Sequence, residues 1–310
     1  MAVSMKGRSL TSINDLSGEE IWRVLELAKS LKMQVKTGQP HHILAGRSLA
    51  MIFEKPSART RVSFEVGMTQ LGGHALYLGP NDIGLGKRES VADVARVLGR
   101  MVDGIMARTF EQAKVDDLAR YAGVPVINGL SDEEHPCQIL ADLLTIWEKR
   151  GRLTGLHAVW IGDGNNVTHS LMIGAAKVGM DLTVISPEGF DVREKYADKA
   201  AKSAQASGSR LAFSRNPDDV GGADVIFTDT WASMGQEAEA EKRRPIFRPY
   251  QVNAELVKKA ARDAIVMHCL PAHRGEEITD EVIDGPQSVV FDEAENRLHA
   301  QKALLALLIP

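Results

Sequence analysis

Short apolar segments alternate with helical stretches along most of the chain, and this alternation limits the possible folds more than any other feature. It predicts parallel β-sheets covered by helices on both faces, because parallel strands need a long crossover connection, usually a helix. We therefore expect an α/β protein. The candidate strands are residues 48–53, 75–78, 104–107, 124–128, 158–161, 182–185, 211–213, 225–228, 265–268 and 288–291.

The number of candidate strands also predicts the domain organisation. Nine or ten strands are many for one open sheet in a chain of 310 residues. We therefore predict two α/β domains, residues 1–148 and residues 149–293. The helix predicted over 135–149 has one broad apolar face and is expected to join the two domains. The last helix, within residues 294–310, is expected to pack back on the first domain.

Charge balance and cysteine content exclude several classes of protein. The chain has 37 Lys and Arg residues against 41 Asp and Glu residues, a formal net charge of −4, whereas nucleic-acid-binding proteins usually carry a basic excess. No apolar run approaches the ~18 residues that cross a bilayer. Cys137 and Cys269 are too few for a disulfide framework and lack a set of zinc ligands. These observations predict a cytoplasmic protein with no nucleic-acid or membrane partner.

Ligands of parallel α/β sheets bind beyond the carboxyl ends of the strands, so the residues that follow each strand are the candidates for a site. Ser57-Ala58-Arg59-Thr60-Arg61 follows the first strand and opens a helix. Backbone N–H groups at a helix N-terminus, two hydroxyls and guanidinium groups favour phosphate binding. An N-cap serine followed by solvated arginines explains these residues equally well. Arg59 and Arg61 point to different helix faces, so only Arg59 is expected to face the site.

Two further strand ends carry polar residues. Arg108 follows the third strand, where a guanidinium group suits an anion, although most arginines in such positions are surface residues. His135 and Gln138 flank a Pro-Cys pair at the start of the next helix. His135 could donate a hydrogen bond to an oxygen, and Gln138 could bind an amide through both of its polar groups. A histidine before a proline is also an ordinary way to begin a helix.

The glycine-containing turn at residues 162–166 is compatible with two functions. A dinucleotide-binding loop of a nicotinamide-dependent oxidoreductase needs a third glycine at position 167, where this chain has Val167. A turn that directs Asn166 at a ligand fits the residues better.

Two strand ends in the second half carry a carboxylate and a thiol. Asp229 could hold an amino group. Cys269 would need a nearby base to act as a nucleophile, and His268 is badly placed because adjacent residues in a strand point to opposite faces. A cysteine hydrolase is therefore disfavoured. The charged, irregular run over residues 231–250, with few apolar anchors, predicts a mobile lid.

In their order along the chain, these motifs resemble those of the carbamoyltransferases. The Ser-Met-Gly and His-Cys-Leu-Pro elements are similar to those of the ornithine carbamoyltransferases, whereas aspartate enzymes usually carry His-Pro-Leu-Pro and putrescine enzymes lack Ser-Met-Gly. The resemblance spans essentially the whole chain, and it rests on Ser57-Ala58-Arg59-Thr60-Arg61, Arg108-Thr109, His135-Pro136-Cys137-Gln138, Asp229 with Ser233-Met234-Gly235, His268-Cys269-Leu270-Pro271 and Arg297.

The resemblance implies a reaction and a set of site residues. The first domain would bind carbamoyl phosphate and the second L-ornithine, and the products would be L-citrulline and phosphate. No covalent enzyme intermediate, metal or organic cofactor would be needed. The catalytic residues would be Arg108, His135, Asp229 and Cys269. Carbamoyl phosphate would contact Ser57, Ala58, Arg59, Thr60, Arg108, His135, Gln138, Cys269, Leu270 and Arg297, and ornithine would contact Asn166, Asp229, Ser233 and Met234.

The resemblance also implies a homotrimer, or a multiple of trimers, that serves arginine biosynthesis. One departure is Gly84, because many family members place a Gln or His near this position that reaches into a neighbouring subunit's site. A glycine cannot make that contact. A carbamoyltransferase for putrescine or acetylornithine, a nicotinamide-dependent oxidoreductase and a non-catalytic homologue are the competing hypotheses.

Overall fold

The chain divides into two compact units in a computed structural model that describes residues 4–232, 235 and 237–310. The first unit contains Met1–Leu144 together with Glu295–Pro310, and the second unit contains Thr145–Ala294. Within the described residues, no helix has both the length and the apolar character needed to cross a bilayer.

The first unit is built on a four-stranded parallel sheet with the strand order β2-β1-β3-β4. Its strands are β1 (Ser48–Phe53), β2 (His74–Leu78), β3 (Gly104–Arg108) and β4 (Val126–Leu130). The helices from this part of the chain are α1 (Gly18–Lys36), α2 (Ala58–Gln70), α3 (Pro80–Ile83), α4 (Val91–Leu98), α5 (Gln112–Tyr121) and α6 (Pro136–Arg150).

Strand β1 is buried on both faces. Ala50 and Ile52 belong to a core cluster with Val94 of α4 and Val115 of α5. Met51 points to the opposite face and is fully buried as well. A strand covered on both faces must be apolar at nearly every position, which explains the continuous apolar run that predicted it.

The second unit contains a five-stranded parallel sheet with the order β7-β6-β5-β8-β9. The predicted α/β fold with two parallel sheets is therefore confirmed. The strands are β5 (His157–Ile161), β6 (Asp181–Ile185), β7 (Leu211–Ser214), β8 (Val225–Thr228) and β9 (Ile265–His268). The helices are α7 (Asn166–Lys177), α8 (Glu194–Ser207), α9 (Ala240–Phe247), α10 (Ala254–Val257) and α11 (Asp280–Ile283).

Two helices continue across the boundary between the units. One is α6, which matches the joining helix predicted from the sequence, and the other is α12 (Val290–Leu308). The strand predicted at 288–291 is wrong, since Ser288 makes only an isolated bridge to Val266 and the helix begins two residues later. The apolar, β-branched run at this point favours a strand locally, but the chain uses it to start a helix.

The segment from Trp231 to Tyr250 is better anchored than its composition suggests. Trp231 is 2% exposed, Phe247 is fully buried and Tyr250 is 9% exposed. The rings of Trp231 and Phe247 are stacked with centroids 6.0 Å apart. The expectation of few apolar anchors is therefore wrong, while the mobility of this segment stays a prediction.

Candidate active site

The first group of candidate residues lies where the strand order of the first unit reverses, between β1 and β3. Ser57 is the N-cap of α2, and its hydroxyl accepts a hydrogen bond from the backbone N–H of Thr60 at 3.3 Å. The same hydroxyl donates to the Thr60 hydroxyl at 3.1 Å. Ala58 and Arg59 form the exposed first turn. A helix N-terminus at a switch point of a parallel sheet is a natural binding site for a phosphate group.

Arg297 of α12 connects this helix start to α6. Its guanidinium group is buried, at 4% residue exposure, and donates to the Thr60 hydroxyl at 3.3 Å and to Gln138 Oε1 at 2.7 Å. Gln138 Nε2 in turn donates to Asp142 Oδ1 at 2.8 Å. The structure thus brings together Thr60, Gln138 and Arg297, although Arg297 lies 159 positions from Gln138 and 237 positions from Thr60.

His135 lies in the same positively charged surroundings. It is 4% exposed, and burial together with the guanidinium groups of Arg297, Arg108 and Arg59 holds its pKa well below the ordinary value. Arg108 is itself 6% exposed and is the last residue of β3 rather than the first residue after it. The imidazole is therefore neutral at pH 7, and a neutral imidazole can donate a hydrogen bond to an oxygen that gains negative charge.

Glu54 and Lys55 carry no motif in the sequence, although they connect the loops that follow β1, β3 and β4. Glu54 accepts hydrogen bonds from the Phe110 backbone N–H at 3.1 Å and from Lys114 Nζ at 2.8 Å. The Lys55 ammonium group is paired with Asp132 and lies 4.5 Å from the centre of the Phe110 ring. These contacts hold the loops after β1, β3 and β4 next to one another. The residues that Glu54 and Lys55 contact lie more than 50 positions away, so no sequence pattern predicts these contacts.

The second group of candidates lies at the corresponding place in the second unit, between β5 and β8. Asp229 Oδ2 accepts a hydrogen bond from Asn165 Nδ2 at 2.8 Å, and Asp229 Oδ1 accepts from the Thr230 backbone N–H at 2.8 Å. The Cys269 thiol lies 3.3 Å from the same Oδ1 atom. A carboxylate and a thiol side by side can orient an amine and take up its proton.

The turn after β5 contains two asparagines, and the one that bonds to Asp229 is Asn165, which the sequence did not single out. Asn165 is the N-cap of α7 and accepts hydrogen bonds from the backbone N–H groups of Val167 and Thr168. The predicted residue, Asn166, is the partly exposed first residue of that helix. Ser233 and Met234, the other predicted ornithine contacts, lie outside the described residues.

Asp163 and Arg243 form a buried ion pair that the sequence did not reveal. Arg243 Nη1 donates to Asp163 Oδ2 at 2.9 Å and to the Trp231 carbonyl at 2.9 Å. The guanidinium group also lies over the Phe190 ring, 5.0 Å from its centre. Burial raises the pKa of Asp163, and Arg243 opposes that rise. One arginine of α9 therefore fixes both the turn after β5 and the chain that follows β8.

His268 supports the backbone beyond β9 and does not serve as a base for the thiol. Its Nδ1 accepts a hydrogen bond from the Leu270 backbone N–H at 2.9 Å, so Nε2 carries the proton and donates to Glu277 Oε1 at 2.9 Å. Glu277 is fully buried. Leu270 has φ = 56°, an uncommon conformation for a residue with a side chain. The network stabilises that conformation. Although the ligand atoms of His268 and Cys269 lie within 4.8 Å of one another, both ring nitrogens are engaged, so the ring is not available as a base for the thiol.

Arg61 and Gly84 lie outside these two groups. Arg61 is exposed, pairs with Glu65 at 3.1 Å and lies 4.2 Å from the centre of the Tyr77 ring. Gly84 ends α3 with φ = 53°, a left-handed conformation that favours glycine.

Among the residues that the structure describes, two clusters have donor atoms close enough together to hold a metal ion. The ligand atoms of Asp229, His268 and Cys269 lie within 4.8 Å of one another, as do those of His273, Glu276 and Glu277. Both ring nitrogens of His268 are already engaged, and Glu277 accepts from His268 and from the His273 backbone N–H. The expectation that the reaction needs no metal remains a prediction.

Comparison with known proteins identifies the family. Residues 8–148 match the carbamoyl-phosphate-binding domain of aspartate/ornithine carbamoyltransferases, and residues 154–308 match their Asp/Orn-binding domain. The chain belongs to this carbamoyltransferase family. A family member named ornithine carbamoyltransferase from Pyrococcus abyssi is 61% identical over 310 residues, which cover 100% of this chain and 98% of that protein. A Pyrococcus furiosus member, named anabolic, is 59% identical over the same length of this chain.

Solved structures of carbamoyltransferases agree with the family assignment. The ornithine carbamoyltransferase of Pyrococcus furiosus superposes with a TM-score of 0.97 at 59% identity, covering 99% of each chain. That of Gloeobacter violaceus superposes with a TM-score of 0.88 at 47% identity, covering 99% of this chain and 100% of the other.

Proposed function

We propose that the protein transfers the carbamoyl group of carbamoyl phosphate to the side-chain amine of L-ornithine, giving L-citrulline and phosphate, in arginine biosynthesis. The hydrogen bond from the Cys269 thiol to the Asp229 carboxylate carries this proposal, because it puts a carboxylate and a thiol side by side where a cationic amine would be held. The high identity to relatives named ornithine carbamoyltransferase, one of them called anabolic, supports the same substrate.

The first unit has the chemistry expected for carbamoyl phosphate. Ser57, Thr60, Arg59 and the backbone at Ala58 would bind the phosphate, whose charge as a leaving group calls for cations. Thr60, Arg108 and His135 would donate to the carbamoyl oxygen as it becomes negative. Gln138, with the Leu270 carbonyl and Cys269, would hold the carbamoyl NH₂ group. Arg297 would also contact carbamoyl phosphate.

The second unit has the chemistry expected for ornithine. The side-chain amine has a pKa near that of lysine, ~10.4, so it arrives protonated and must lose a proton before it attacks. Asp229 would hold the ammonium form, and Cys269 beside it would help to take the proton. Asn166, Ser233 and Met234 are proposed to bind the α-amino and carboxylate groups.

We also propose a homotrimer in the cytoplasm. Strand β2 is an edge of its sheet, and Leu76 in it is 41% exposed. Val62 of α2 is 57% exposed as well. An uncovered edge strand with apolar neighbours is typical of a subunit interface. Both cysteines are free thiols, which favours a reducing compartment.

The test is a colorimetric assay for the ureido group with carbamoyl phosphate and four amines: ornithine, acetylornithine, putrescine and aspartate. We expect turnover with ornithine only. A higher kcat/KM with any other amine would contradict the proposed substrate, and binding of a nicotinamide nucleotide in calorimetry would favour the oxidoreductase. Asp229→Asn should raise the KM for ornithine while the Kd for inorganic phosphate stays unchanged.

A further inference from the structure

Glu134, the residue before His135, is a buried carboxylate that no part of the proposed reaction uses. It is 1% exposed, in a loop between β4 and α6. A carboxylate removed from water is stabilised only where hydrogen-bond donors replace the water. The identity of those donors shows what the residue does.

Both carboxylate oxygens bind a segment near the start of the chain. Glu134 Oε1 accepts a hydrogen bond from the Ser12 hydroxyl, and Oε2 accepts from the Ile13 backbone N–H at 3.3 Å. The backbone of Glu134 is held as well, because its N–H donates to the Ser131 hydroxyl at 3.1 Å and its carbonyl accepts from the Ser131 N–H at 2.9 Å. The conformation of residue 134 is thereby fixed at both its side chain and its backbone.

The segment that binds Glu134 is itself fixed to the sheet. Leu10 extends the sheet at β4, with its N–H donating to Val126 at 2.8 Å and its carbonyl accepting from Asn128 at 2.8 Å. The Asn128 side chain donates to the Thr11 carbonyl at 2.8 Å. Ser12 also caps the short turn that follows, since its hydroxyl accepts from the Asn14 N–H at 3.0 Å. Glu134 is therefore tied to a rigid part of the first unit.

What Glu134 fixes in turn is the start of α6. The His135 carbonyl accepts the first bonds of the helix, from Gln138 at 3.1 Å and Ile139 at 3.4 Å. The direction of the His135 imidazole depends on the backbone between residues 134 and 135. An error of ~1 Å in the position of a catalytic group can cost about 10²-fold in rate.

We propose that Glu134 is a positioning residue for His135, acting through its hydrogen bonds to Ser12 and Ile13. The inference rests on the proposed role of His135 in polarising the carbamoyl oxygen. It extends the functional part of the first unit to residues 10–13, which contact neither substrate in the proposed reaction.

The main experiment compares Glu134→Ala with Glu134→Gln in the full-length enzyme. Glu134→Ala loses both acceptors, and we expect kcat to fall by about 10- to 100-fold. The Kd for inorganic phosphate, measured by calorimetry, should stay within about twofold, since Ser57, Arg59 and Thr60 are untouched. Glu134→Gln can still accept from Ile13 and can donate to Ser12, so its kcat should stay within about threefold of the parent value.

Two further variants separate positioning from general damage. Ser12→Ala removes the donor of the same hydrogen bond whose acceptor Glu134→Ala removes. The effects of the two substitutions on kcat should therefore not add in the double variant. Glu133→Ala is the matched control, because the partly exposed neighbour keeps its backbone bond to Ser131 and should leave kcat near the parent value.

The outcomes distinguish this inference from the proposed function. If His135→Ala keeps full activity, the proposed role of His135 is wrong. If His135→Ala is slow but Glu134→Ala retains parent kcat, only the positioning role is overturned. Equal losses of kcat and phosphate affinity in Glu134→Ala, or a Glu134→Gln variant as slow as Glu134→Ala, would also overturn it. Should Glu134→Ala fail to fold, Ser12→Ala and Glu134→Gln decide the matter by the same criteria.

Discussion

The two units place their candidate residues at the same position of the fold and give them opposite chemistry. In the first unit, guanidinium groups surround a neutral imidazole beyond the carboxyl ends of β1 and β3. In the second, a carboxylate bonds to an amide and lies beside a thiol beyond β5, β8 and β9. Parallel sheets thus determine where a ligand binds, whereas the side chains at the strand ends determine which charge it carries.

The units also differ in how their sites are held. Thr60, Gln138 and Arg297 come from three helices, so the first site depends on contacts between distant parts of the chain. Asp229 is held by Asn165, by its neighbour Thr230 and by Cys269, all at strand ends of one sheet. Changes in the first site should therefore act on carbamoyl phosphate, and changes in the second on ornithine.

The largest effect is expected from Arg108→Ala in the first unit. Loss of one preorganised charged donor to a developing oxyanion typically costs about 3–4 kcal/mol, or 10²–10³ in kcat/KM. The fold should be preserved, as judged by circular dichroism. Arg61→Ala is the matched control, because that exposed arginine pairs with Glu65 and should leave turnover nearly unchanged. Near-normal activity of Arg108→Ala with unaltered affinity for carbamoyl phosphate would show that the charge contrast between the units does not serve the reaction.

Cys269→Ser should have a smaller effect, confined to the second unit. The hydroxyl can still bond to Asp229 but is a poorer proton acceptor, so kcat/KM for ornithine should fall about 10- to 100-fold without disappearing. Kinetics with varied ornithine and intact-protein mass spectrometry provide the measurement. A carbamoyl thioester trapped on Cys269 would mean that the thiol is a nucleophile and that the second site does more than hold an amine.

Arg243→Lys tests whether the second site, like the first, depends on contacts from a distant part of the chain. A lysine has a single nitrogen and cannot replace a guanidinium group whose Nη1 bonds to Asp163 and the Trp231 carbonyl while its Nε and Nη2 bond to Glu239. Loss of one charged hydrogen bond costs about 1.5–3 kcal/mol, and even part of that would raise the KM for ornithine several-fold. Arg244→Lys, at a more exposed position, is the control. An unchanged KM would indicate that the ion pair stabilises the unit without positioning the site.

The smallest effect is a pH dependence of stability. Burial lowers the pKa of His299 to about 4, and that of His135 lies well below its ordinary value. Below pH ~6.5 these two histidines therefore bind protons in the unfolded chain but stay neutral in the folded chain. The free energy of unfolding should accordingly fall as the pH drops from 6.5 towards 4. Urea denaturation at pH 7, 6 and 5 would measure the slope. His299→Asn should flatten it, and a slope unchanged in that variant would contradict the assignment.

The sequence predicts where the candidate residues lie in the fold wherever local chemistry determines their position. Ser57 is a helix cap directly after a strand, and Arg108 and Asp229 stand at strand ends, so the pattern of apolar runs was enough. It failed to identify Asn165 as the partner of Asp229, since Asn165 and Asn166 can both begin a helix; the ornithine contact of Asn166 stays a prediction. It also failed for Asp163 and Arg243, which are 80 residues apart and pair only in the folded unit.

The strand predicted at 288–291 shows a second limit of local pattern. Val289 and Val290 have the branched side chains that favour strands, yet both are buried in the second unit at the start of α12. Tertiary packing overrides intrinsic preference where the two conflict. The buried rings of Trp231 and Phe247 are a second case in which packing overrides a local expectation, because the composition of their segment is mostly polar.

The contrast between the two cysteines makes the protein suitable for selective chemical labelling. Cys137 is fully buried, donates to the Asn128 carbonyl at 3.4 Å, and burial raises its pKa to about 12, so at neutral pH it offers almost no thiolate to an alkylating reagent. Cys269 is partly exposed. A maleimide dye added to the native enzyme would therefore attach at one position, beside Asp229. The sequence thus already carries a single attachment point, and because alkylation there would fill the place proposed for the amine, protection of Cys269 by ornithine would report amine binding with no cysteine to remove by mutation.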